Sequence, residues 1–585
     1  MFNAFYFKLA CANIRRDKRT YLPHIIATAV ISGVYLLIAG LMFSDGLSNV
    51  PSGETAQSMF RFGIVVFSIF AFFFMLYINN FLIGRRKKEF GLYGVLGLEK
   101  RHVGRVLFWE NLLTLGAGVL LGAACALVFG RLIFWLLLKL IHTAPGSEFS
   151  ISAFAYLLTA LLFGAIFVVT AIANALRVRL VSPMELMTSP KKGEKDSKLL
   201  WPMAILGLLF LGAAYYLAWV LDSPGAALGL FFPLVILVIL STYALFTSGS
   251  VAFLKLMKAN KRLYYRPSGF IAISGMIQRM KQNARSLATI CILSTMLVVT
   301  ISGTLSLYLG KEKMAREFNP FDLSFSAYYY TDDGEEPAPE QTEAALARMQ
   351  ETVKTVAARY GVSILADESK LISRDQARAE GTEFFGNNVY DNEDDVRVAN
   401  GFIRIAERCM CDFDVNQETG LAMVEEIRQG FSKVSEAEHM GYSISNIYTT
   451  RQDGYGLYGG LLFLGAFFGL LFLAVTVLII YFKQISEGYE DKAQFEILRK
   501  VGMDDKQIKA TINEQVLWVF FIPLGTTLLH MVFASKIMSC MLRSFSLNDY
   551  GLVLGCIGGV CAVFAALYLA VYGLTAKVYY NIIRT

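Results

Sequence analysis

The chain contains 585 residues, of which 55% are hydrophobic and only 17% are charged, with a mean hydropathy of +0.49. This composition excludes a soluble globular protein, which does not need so much apolar surface, and predicts a polytopic membrane protein. Residues 311–455 hold 15 Lys and Arg against 28 Asp and Glu, whereas the remainder holds 39 against 19. The formal net charge of +7 therefore reflects membrane topology, with basic loops inside and an acidic segment outside, and does not indicate nucleic-acid binding.

Residues 1–20 open the chain as a basic amphipathic segment that contains Arg15, Arg16, Lys18 and Arg19. Such a segment is typical of a helix that lies in the membrane interface and extends its cations towards the headgroups.

Ten apolar runs follow, each near the ~20 residues that cross a bilayer as a helix. Lys and Arg cluster in alternate connections, which places both termini in the cytoplasm. The chain is predicted to be an α-helical membrane protein with a four-plus-two-plus-four arrangement of spans. The runs are about 21–43, 60–83, 108–140, 153–177, 200–221, 226–253, 286–309, 456–483, 514–540 and 550–575.

A basic segment, residues 84–110, connects the second and third runs and reads GRRKKEFGLYGVLGLEKRHVGRVLFWE. Its apolar residues predict a short helix with one apolar face, and its cations, among them Arg86 and Lys88, are assigned to the other face. A weaker copy lies in residues 484–513, where Phe495, Ile497 and Gly502 align with Phe90, Leu92 and Gly97. Two copies of an amphipathic helix beside membrane spans suggest a docking surface for a cytosolic partner.

This repeat divides the membrane portion into two modules of four helices. The predicted domains are the N-terminal helix 1–20, a first module 21–190 with the loop 84–110, a two-helix linker 191–267, a basic helix and seventh span 268–310, a soluble domain 311–455, and residues 456–585, which complete the second module with the loop 484–513.

The soluble segment between the seventh and eighth spans is predicted to be a small extracellular α+β domain. Helical periodicity covers residues 342–359 and 421–428, and residues 362–365 have the composition of a strand. Its acidic patches are either a solvated face or a surface that attracts a cationic ligand. The candidate ligand-binding residues are Asp391, Asp394, Asp395, Asp412 and Asp414.

No motif in the sequence supports catalysis, a metal site or a cofactor. The chain has no G-x-x-x-x-G-K-[ST] phosphate loop, no H-E-x-x-H and no G-x-S-x-G. Cys409 and Cys411 alone make a poor metal site, and His24 is interpreted as an ordinary hydrogen-bonded histidine at the membrane interface, in preference to a catalytic one. His530 lies inside a span and is the more interesting histidine, but the spans contain almost no carboxylates, which argues against a carrier driven by protons or sodium.

Small residues recur at four-residue spacing in three spans: Gly118 with Gly122, Gly465 with Gly469, and Gly551 with Gly555 and Gly559. This spacing lets two helices approach closely. Packing within the chain is the favoured interpretation, and a dedicated dimer face is the alternative.

The sequence from Arg86 to Leu92, continued by Leu96, Gly97 and Glu110, resembles the coupling segment of FtsX-like permeases, the membrane subunits of type VII ABC systems. Residues 182–186 (SPMEL) resemble the segment that closes the four-helix module of that family. Ten spans with one large outer domain between the seventh and eighth are similar to the Bce-type permeases of peptide-antibiotic resistance in Gram-positive bacteria.

The resemblance implies a non-catalytic subunit in the plasma membrane that works with a separate cytoplasmic ATPase dimer, which holds the ATP and magnesium. ATP hydrolysis there bends the long helices and moves the outer domain, whose target is a cell-wall-active peptide such as bacitracin or a complex of that peptide with a lipid-linked cell-wall precursor. A membrane histidine kinase often joins such assemblies. The alternative is a non-transporting scaffold that regulates a partner kinase or a cell-wall hydrolase. The implied ATPase-coupling residues are Arg86, Lys88, Glu89, Phe90, Gly91, Leu92, Gly97, Phe495, Ile497 and Gly502.

Overall fold

A computed structural model describes residues 2–95, 97–143, 149–180, 200–259, 267–319, 321–329, 339–371, 407–413, 417–438, 440–500 and 505–584. Several predicted features lie outside the described residues: Gly502, Asp391, Asp394, Asp395, Asp414 and the segment 182–186. The side chains of Lys88, Asp412, Phe495 and Ile497 also lie outside the description, although their backbones belong to described elements. The chain divides into two compact units, one formed by Met1–Leu309 with Gly456–Thr585 and the other by Gly310–Tyr455.

Helices account for the membrane portion. In chain order they are α1 (Phe2–Arg16), α2 (Lys18–Met42), α3 (Asp45–Ser48), α4 (Gly53–Arg85), α5 (Lys87–Val95), α6 (Lys100–Leu140), α7 (Ala153–Leu180), α8 (Leu200–Val220), α9 (Pro224–Ala244), α10 (Ser250–Ala259) after a π-helical turn Leu245–Gly249, α11 (Pro267–Phe318), α14 (Ile447–Lys500), α15 (Asp505–Leu542) with a 3-10 turn Arg543–Phe545, and α16 (Tyr550–Arg584).

The prediction of ten membrane spans is confirmed. Among the described residues, ten helices are long and apolar enough to cross a bilayer, and their bounds lie close to those predicted from hydropathy. The third, α6, has 41 residues, which at 1.5 Å per residue is roughly 60 Å. It is therefore about twice as long as the hydrocarbon core requires, as its apolar run indicates.

Two of the three glycine motifs pack helices within the chain. A Cβ atom on Gly118 would lie 2.5 Å from Thr28, and one on Gly122 would lie 2.5 Å from the carbonyl oxygen of Ala29, so α6 lies directly against α2. Gly465 and Gly469 bring α14 against Thr304 and Ile301 of α11 in the same way. Within-chain packing is confirmed for these two motifs.

The third motif behaves differently. Among the described residues, nothing lies within 4 Å of the position where Gly555 or Gly559 would carry a Cβ atom, and Gly551 meets only Asp549 of its own turn. The interpretation of this motif as within-chain packing is wrong for the described structure, because the glycine face of α16 has no helix against it.

Buried amides connect the helices of the first module. Asn79 and Asn174 exchange two hydrogen bonds, of 2.8 and 3.1 Å, between α4 and α7. Asn111 donates to Thr170 at 2.9 Å and so joins α6 to α7. Because hydrocarbon offers no other partner for an amide, these bonds fix how the helices face one another.

The second unit is an α+β domain, as predicted. Its elements are β1 (Leu323–Tyr329), α12 (Pro339–Arg359), β2 (Ile364–Leu371), β3 (Glu407–Phe413), α13 (Gln417–Glu438) and β4 (Met440–Asn446). The four strands form an antiparallel sheet in the order β2–β3–β1–β4. Phe325 of β1 packs its ring against Phe431, and the buried Met349, Met423 and Ile427 complete the core between the sheet and the two helices.

Both predicted helices of this domain are present, and the second is much longer than residues 421–428 indicated. The short predicted strand, 362–365, corresponds to the beginning of β2. The other three strands were not predicted. In β1 (LSFSAYY) and β4 (MGYSISN) the sequence does alternate apolar and polar residues, a signal for a strand that was overlooked, whereas β3 (ERCMCDF) has no clear period of two.

Candidate functional site

The candidate site is the basic segment between α4 and α6, which contains the nine-residue helix α5. α5 ends in a Schellman motif: the backbone N–H of Leu98 donates to the carbonyl of Tyr93 at 3.0 Å, and that of Gly97 donates to the carbonyl of Gly94 at 3.2 Å. Gly97 has φ +90°, a conformation that residues with a Cβ atom rarely adopt. The glycine predicted at this position thus sets the turn from α5 into α6.

One side chain anchors α5 to the membrane bundle. Phe90 is buried and packs in a cluster with Ile83, Val103 and Leu107, which belong to the end of α4 and the beginning of α6. Tyr93 and Leu98 lie against the same cluster, so the hydrophobic contact that usually accompanies a Schellman motif is present. The short helix is therefore fixed on both neighbouring spans.

The position of Arg86 contradicts the prediction that its side chain lies on the exposed, cationic face of this segment. Its side chain is only 3% exposed and forms an ion pair with the buried carboxylate of Glu110 on α6. Its Nε atom also donates to Glu89 at 2.8 Å. The guanidinium lies over the rings of Tyr21 and Phe90, 5.3 and 5.1 Å from their centroids. A guanidinium can be buried in this way because it satisfies carboxylates and stacks on aromatic faces at the same time.

The pKa of Arg86 follows from these contacts. Burial by itself lowers the pKa, but the carboxylate of Glu110, reinforced by Tyr21 and Glu89, outweighs burial and raises the pKa above its ordinary value. Arg86 therefore remains a cation throughout the physiological pH range.

The N-terminal helix belongs to the same site. Asn13 of α1 donates to Glu110 at 2.7 Å, and the hydroxyl of Tyr93 donates to the Asn13 side-chain oxygen at 3.4 Å. Farther along α1, Tyr6 stacks on His102 at 5.8 Å and Phe7 meets Trp109 edge-on at 5.3 Å. The sequence predicted only an interfacial helix here, and the missed signal is the pair of aromatic residues at positions 6 and 7.

The predicted coupling residues of the first copy thus fall into two groups. Arg86, Phe90 and Gly91 are buried and hold α5 in place. Glu89 and Leu92 are each 49% exposed, and Gly97 is also exposed. The second group is the part of the segment that can contact another protein.

The second copy does not form a separate short helix. α14 continues without interruption through Phe495 and Ile497 to Lys500, and α15 begins at Asp505. The expectation of two matching short helices is therefore wrong. The physical reason lies in the sequence: the first copy contains Gly91, Gly94 and Gly97, whereas residues 489–501 contain no glycine or proline and many good helix formers.

The two notable histidines have different surroundings. The hydroxyl of Tyr215 lies 2.6 Å from Nδ1 of His530, and that of Thr242 lies 3.1 Å from Nε2. His530 is thus fully hydrogen-bonded and links α8, α9 and α15. His24 is buried, and neither ring nitrogen has a hydrogen-bond partner among the described residues. The prediction that His24 is an ordinary hydrogen-bonded histidine is therefore wrong for the described part of the chain. The described part of the chain brings together no group of three metal-ligating side chains.

Two segments of the chain match a known protein family. Residues 61–183 and 466–578 each match the family described as FtsX-like permease C-terminal. The chain is 23% identical to the uncharacterized ABC transporter permease YvcS of Bacillus subtilis, over 92% of this chain and 94% of that protein. It is 22% and 25% identical to the bacitracin export permease proteins BceB of B. subtilis and Halalkalibacterium halodurans, in each case over 90% of this chain and 92% of the relative. The two matched segments, the ten spans and the similarity along most of the chain make it similar to ABC transporter permeases of the FtsX-like type.

Proposed function

We propose that this permease couples ATP hydrolysis by a separate cytoplasmic ATPase dimer to movement of the Gly310–Tyr455 domain, and that it serves resistance to cell-wall-active peptide antibiotics. ATP and magnesium are bound by the partner, since the sequence contains no phosphate loop. The proposal rests on the arrangement of α5. Leu92 and Glu89 are exposed, whereas Arg86, Phe90 and Glu110, which hold the helix in place, are buried.

This arrangement suits the transmission of force. A partner that displaces Leu92 displaces a rigid element, because Phe90 ties α5 to both flanking spans and Arg86 ties it to Glu110. The path continues into α6, which is 41 residues long, so motion at α5 reaches the opposite side of the membrane through one helix. The hydrogen bond from Asn13 to Glu110 connects α1 to the same helix.

The proposed substrate class rests on the relatives. Two of them are named bacitracin export permeases, and the similarity covers 90% of this chain, including the segment that holds the soluble domain. We extend to this chain the class of cell-wall-active peptides, alone or bound to a lipid-linked precursor, with a membrane histidine kinase as a further partner.

The test is to co-express the full chain with its cognate ABC ATPase, purify the complex, and measure ATP hydrolysis with and without a panel of cell-wall-active peptides. We expect a stable complex whose hydrolysis rate responds to one class of peptide. A stable complex that ignores every peptide would contradict the substrate class and favour a scaffold for a kinase or hydrolase. Failure to form any complex would contradict the coupling role itself.

A point variant makes the docking role specific. Leu92→Asp places a charge in the centre of the proposed contact and should weaken ATPase binding by roughly tenfold or more, as for a contact at the middle of an interface. Leu256→Asp is the matched control, because Leu256 is a leucine of similar exposure (57% against 49% for Leu92) near the end of α10, at the predicted cytoplasmic side. Equal ATPase binding by both variants would assign the docking surface elsewhere.

A further inference from the structure

An apolar cavity of about 330 Å³, open on one side, lies between the helices of the membrane bundle. Its walls come from α4, α8, α9, α11, α14 and α15 and consist almost wholly of aromatic and aliphatic side chains, among them Phe70, Phe231, Phe232, Val238, Phe468 and Phe533. All of these residues belong to helices that can span the bilayer. A cavity of this composition favours a hydrocarbon occupant over water, because it offers water too few polar partners.

Three of the polar side chains at this cavity are already satisfied by one another. Tyr215, Thr242 and His530 all line it, and His530 uses both ring nitrogens on the other two hydroxyls. An occupant therefore gains little by bringing its own hydrogen-bonding groups to this depth. The cavity fits the apolar part of a ligand.

A second, polar pocket of about 390 Å³ lies at one end of the same helices. It is lined by Trp219 and Asp222, where α8 turns into α9, and by Lys536, Arg543 and Tyr550, where α15 turns into α16. Trp and Tyr are the residues that occupy the headgroup level of a bilayer. The pocket thus has the position and the composition of a site for a lipid headgroup.

The two pockets are adjacent. Phe533 of the apolar cavity and Lys536 of the polar pocket are one helical turn apart on α15, and Ala218 and Trp219 are consecutive on α8. The rings of Trp219 and Phe533 meet at 6.4 Å. A molecule with its polar end at Lys536 can therefore place its apolar end in the cavity.

The charges of the polar pocket favour an anion. Lys536 lies 3.0 Å from the Asp222 carboxylate, and Arg543 donates to the Asp222 carbonyl at 3.0 Å, so two cations converge on one exposed residue. The Asp222 side chain is 75% exposed, and an ion pair with such a partner is weak. A phosphate can replace that carboxylate at little cost and can accept from the Arg543 fork. Both cations also lie at the end of the bundle predicted to face outside, where Lys and Arg are uncommon.

We propose that these two pockets form one binding site for an anionic glycerophospholipid, with its phosphate between Lys536 and Arg543 and an acyl chain in the apolar cavity. The site is independent of the proposed ATPase coupling. It uses neither α5 nor the Arg86–Glu110 pair, so either proposal can fail while the other stands.

The test uses native mass spectrometry of the purified full chain with added dioleoyl phosphatidylglycerol or, as the zwitterionic comparison, dioleoyl phosphatidylcholine. We expect phosphatidylglycerol to be retained several times more strongly. Lys536→Gln and Arg543→Gln should each lower its retention roughly fivefold, the usual effect of one cation near an anionic lipid, without changing the retention of phosphatidylcholine. Ala534→Trp fills the apolar cavity and should lower the retention of both lipids.

Lys139→Gln is the matched control, because Lys139 is a cation at the predicted outer end of α6, next to Trp135 and away from the pocket. It should leave phosphatidylglycerol retention unchanged, and thermal melting of each variant verifies that it is folded. Unchanged retention in the double variant of Lys536 and Arg543 would overturn the proposal. Displacement of phosphatidylglycerol by millimolar inorganic phosphate would also overturn the proposal and would indicate a site for free phosphate. Displacement by an equal concentration of a polyprenyl phosphate would overturn it as well and would reassign the site to that lipid.

Discussion

Arg86 and Glu110 form a buried ion pair, whereas Arg101 and Glu99, a few residues along the same segment, form an exposed one. The physical consequences differ. Water screens the exposed pair and solvates each partner when the pair breaks, so its net contribution to stability is small. The buried pair has no such substitute, and a charge left without its partner there stays desolvated. Two pairs of the same chemistry therefore have very different effects on the free energy of unfolding.

Glu110→Gln removes the buried carboxylate from the guanidinium of Arg86 and leaves it only the half-exposed carboxylate of Glu89. We expect it to lower the free energy of unfolding by about 3–5 kcal/mol. Arg101→Gln, which breaks the exposed pair, should lower it by about 0–1 kcal/mol. The measurement is denaturant-induced unfolding of each purified variant in the same detergent. Similar losses in the two variants would show that Arg86 is not buried as described.

Glycines act at the level of the element, and each acts for a different reason. Gly97 is required by its backbone conformation, because φ is +90°. Space is not the reason, since no atom of the described residues lies within 4 Å of the position of a Cβ atom there. Gly118 and Gly122 are required by space, because α2 lies where their side chains would be. Gly104 and Gly116, both on α6, have neither constraint. The segment 84–110 and helix α6 therefore contain both the glycines to be substituted and their control positions.

Gly97→Ala forces a residue with a Cβ atom into the left-handed region and should destabilise the α5–α6 turn by about 1–2 kcal/mol. Gly104→Ala, in the interior of α6, should instead stabilise the chain by about 0.5–1 kcal/mol, because alanine loses less backbone entropy in a helix. Opposite signs in a detergent unfolding assay are the expected result. A destabilising Gly104→Ala of the same size as Gly97→Ala would contradict the conformational explanation.

Gly118→Ala and Gly122→Ala should each push α6 away from α2 and lower the free energy of unfolding by about 1–3 kcal/mol, the usual range for overpacking. Gly116→Ala lies on the same helix with open space at its Cβ position and should be neutral or slightly stabilising. Thermal melting of the three variants in one detergent distinguishes these outcomes. If Gly116→Ala melted with the other two, close packing of α6 on α2 would not be the cause.

At the scale of the whole molecule, the ten spans could be predicted from hydropathy because the bilayer demands about 20 consecutive apolar residues whatever the helices pack against. The burial of Arg86 could not be predicted in the same way. A run of four cations, residues 85–88, gives no periodic signal that separates one member from the others, and its partners Glu110 and Tyr21 lie far away in the sequence. Pairwise contacts of this kind are set by tertiary packing, which the sequence pattern does not contain.

The predicted orientation of the whole chain is testable with two cysteine variants. Asn49→Cys lies in the exposed turn between α2 and α4, and Arg101→Cys lies at the exposed start of α6. Because the basic segment is predicted to be cytoplasmic, a membrane-impermeant maleimide should label Asn49→Cys in intact cells. It should label Arg101→Cys only after permeabilisation, with the unsubstituted chain giving the background from its native cysteines. Labelling in the reverse order would invert the topology.

The Arg86–Glu110 pair has a consequence for how the chain is made. Synthesis proceeds from the N-terminus, so Asn13, Tyr21 and Arg86 have all been translated before Glu110 leaves the ribosome. An ionised carboxylate inside a membrane span is costly when it is alone. Here its hydrogen-bond donor and its countercharge precede it, on α1 and immediately after α4. The third span can therefore enter the bilayer when the partners of Glu110 are already present in the chain. Residues translated earlier thus help to determine the depth of this span in the membrane.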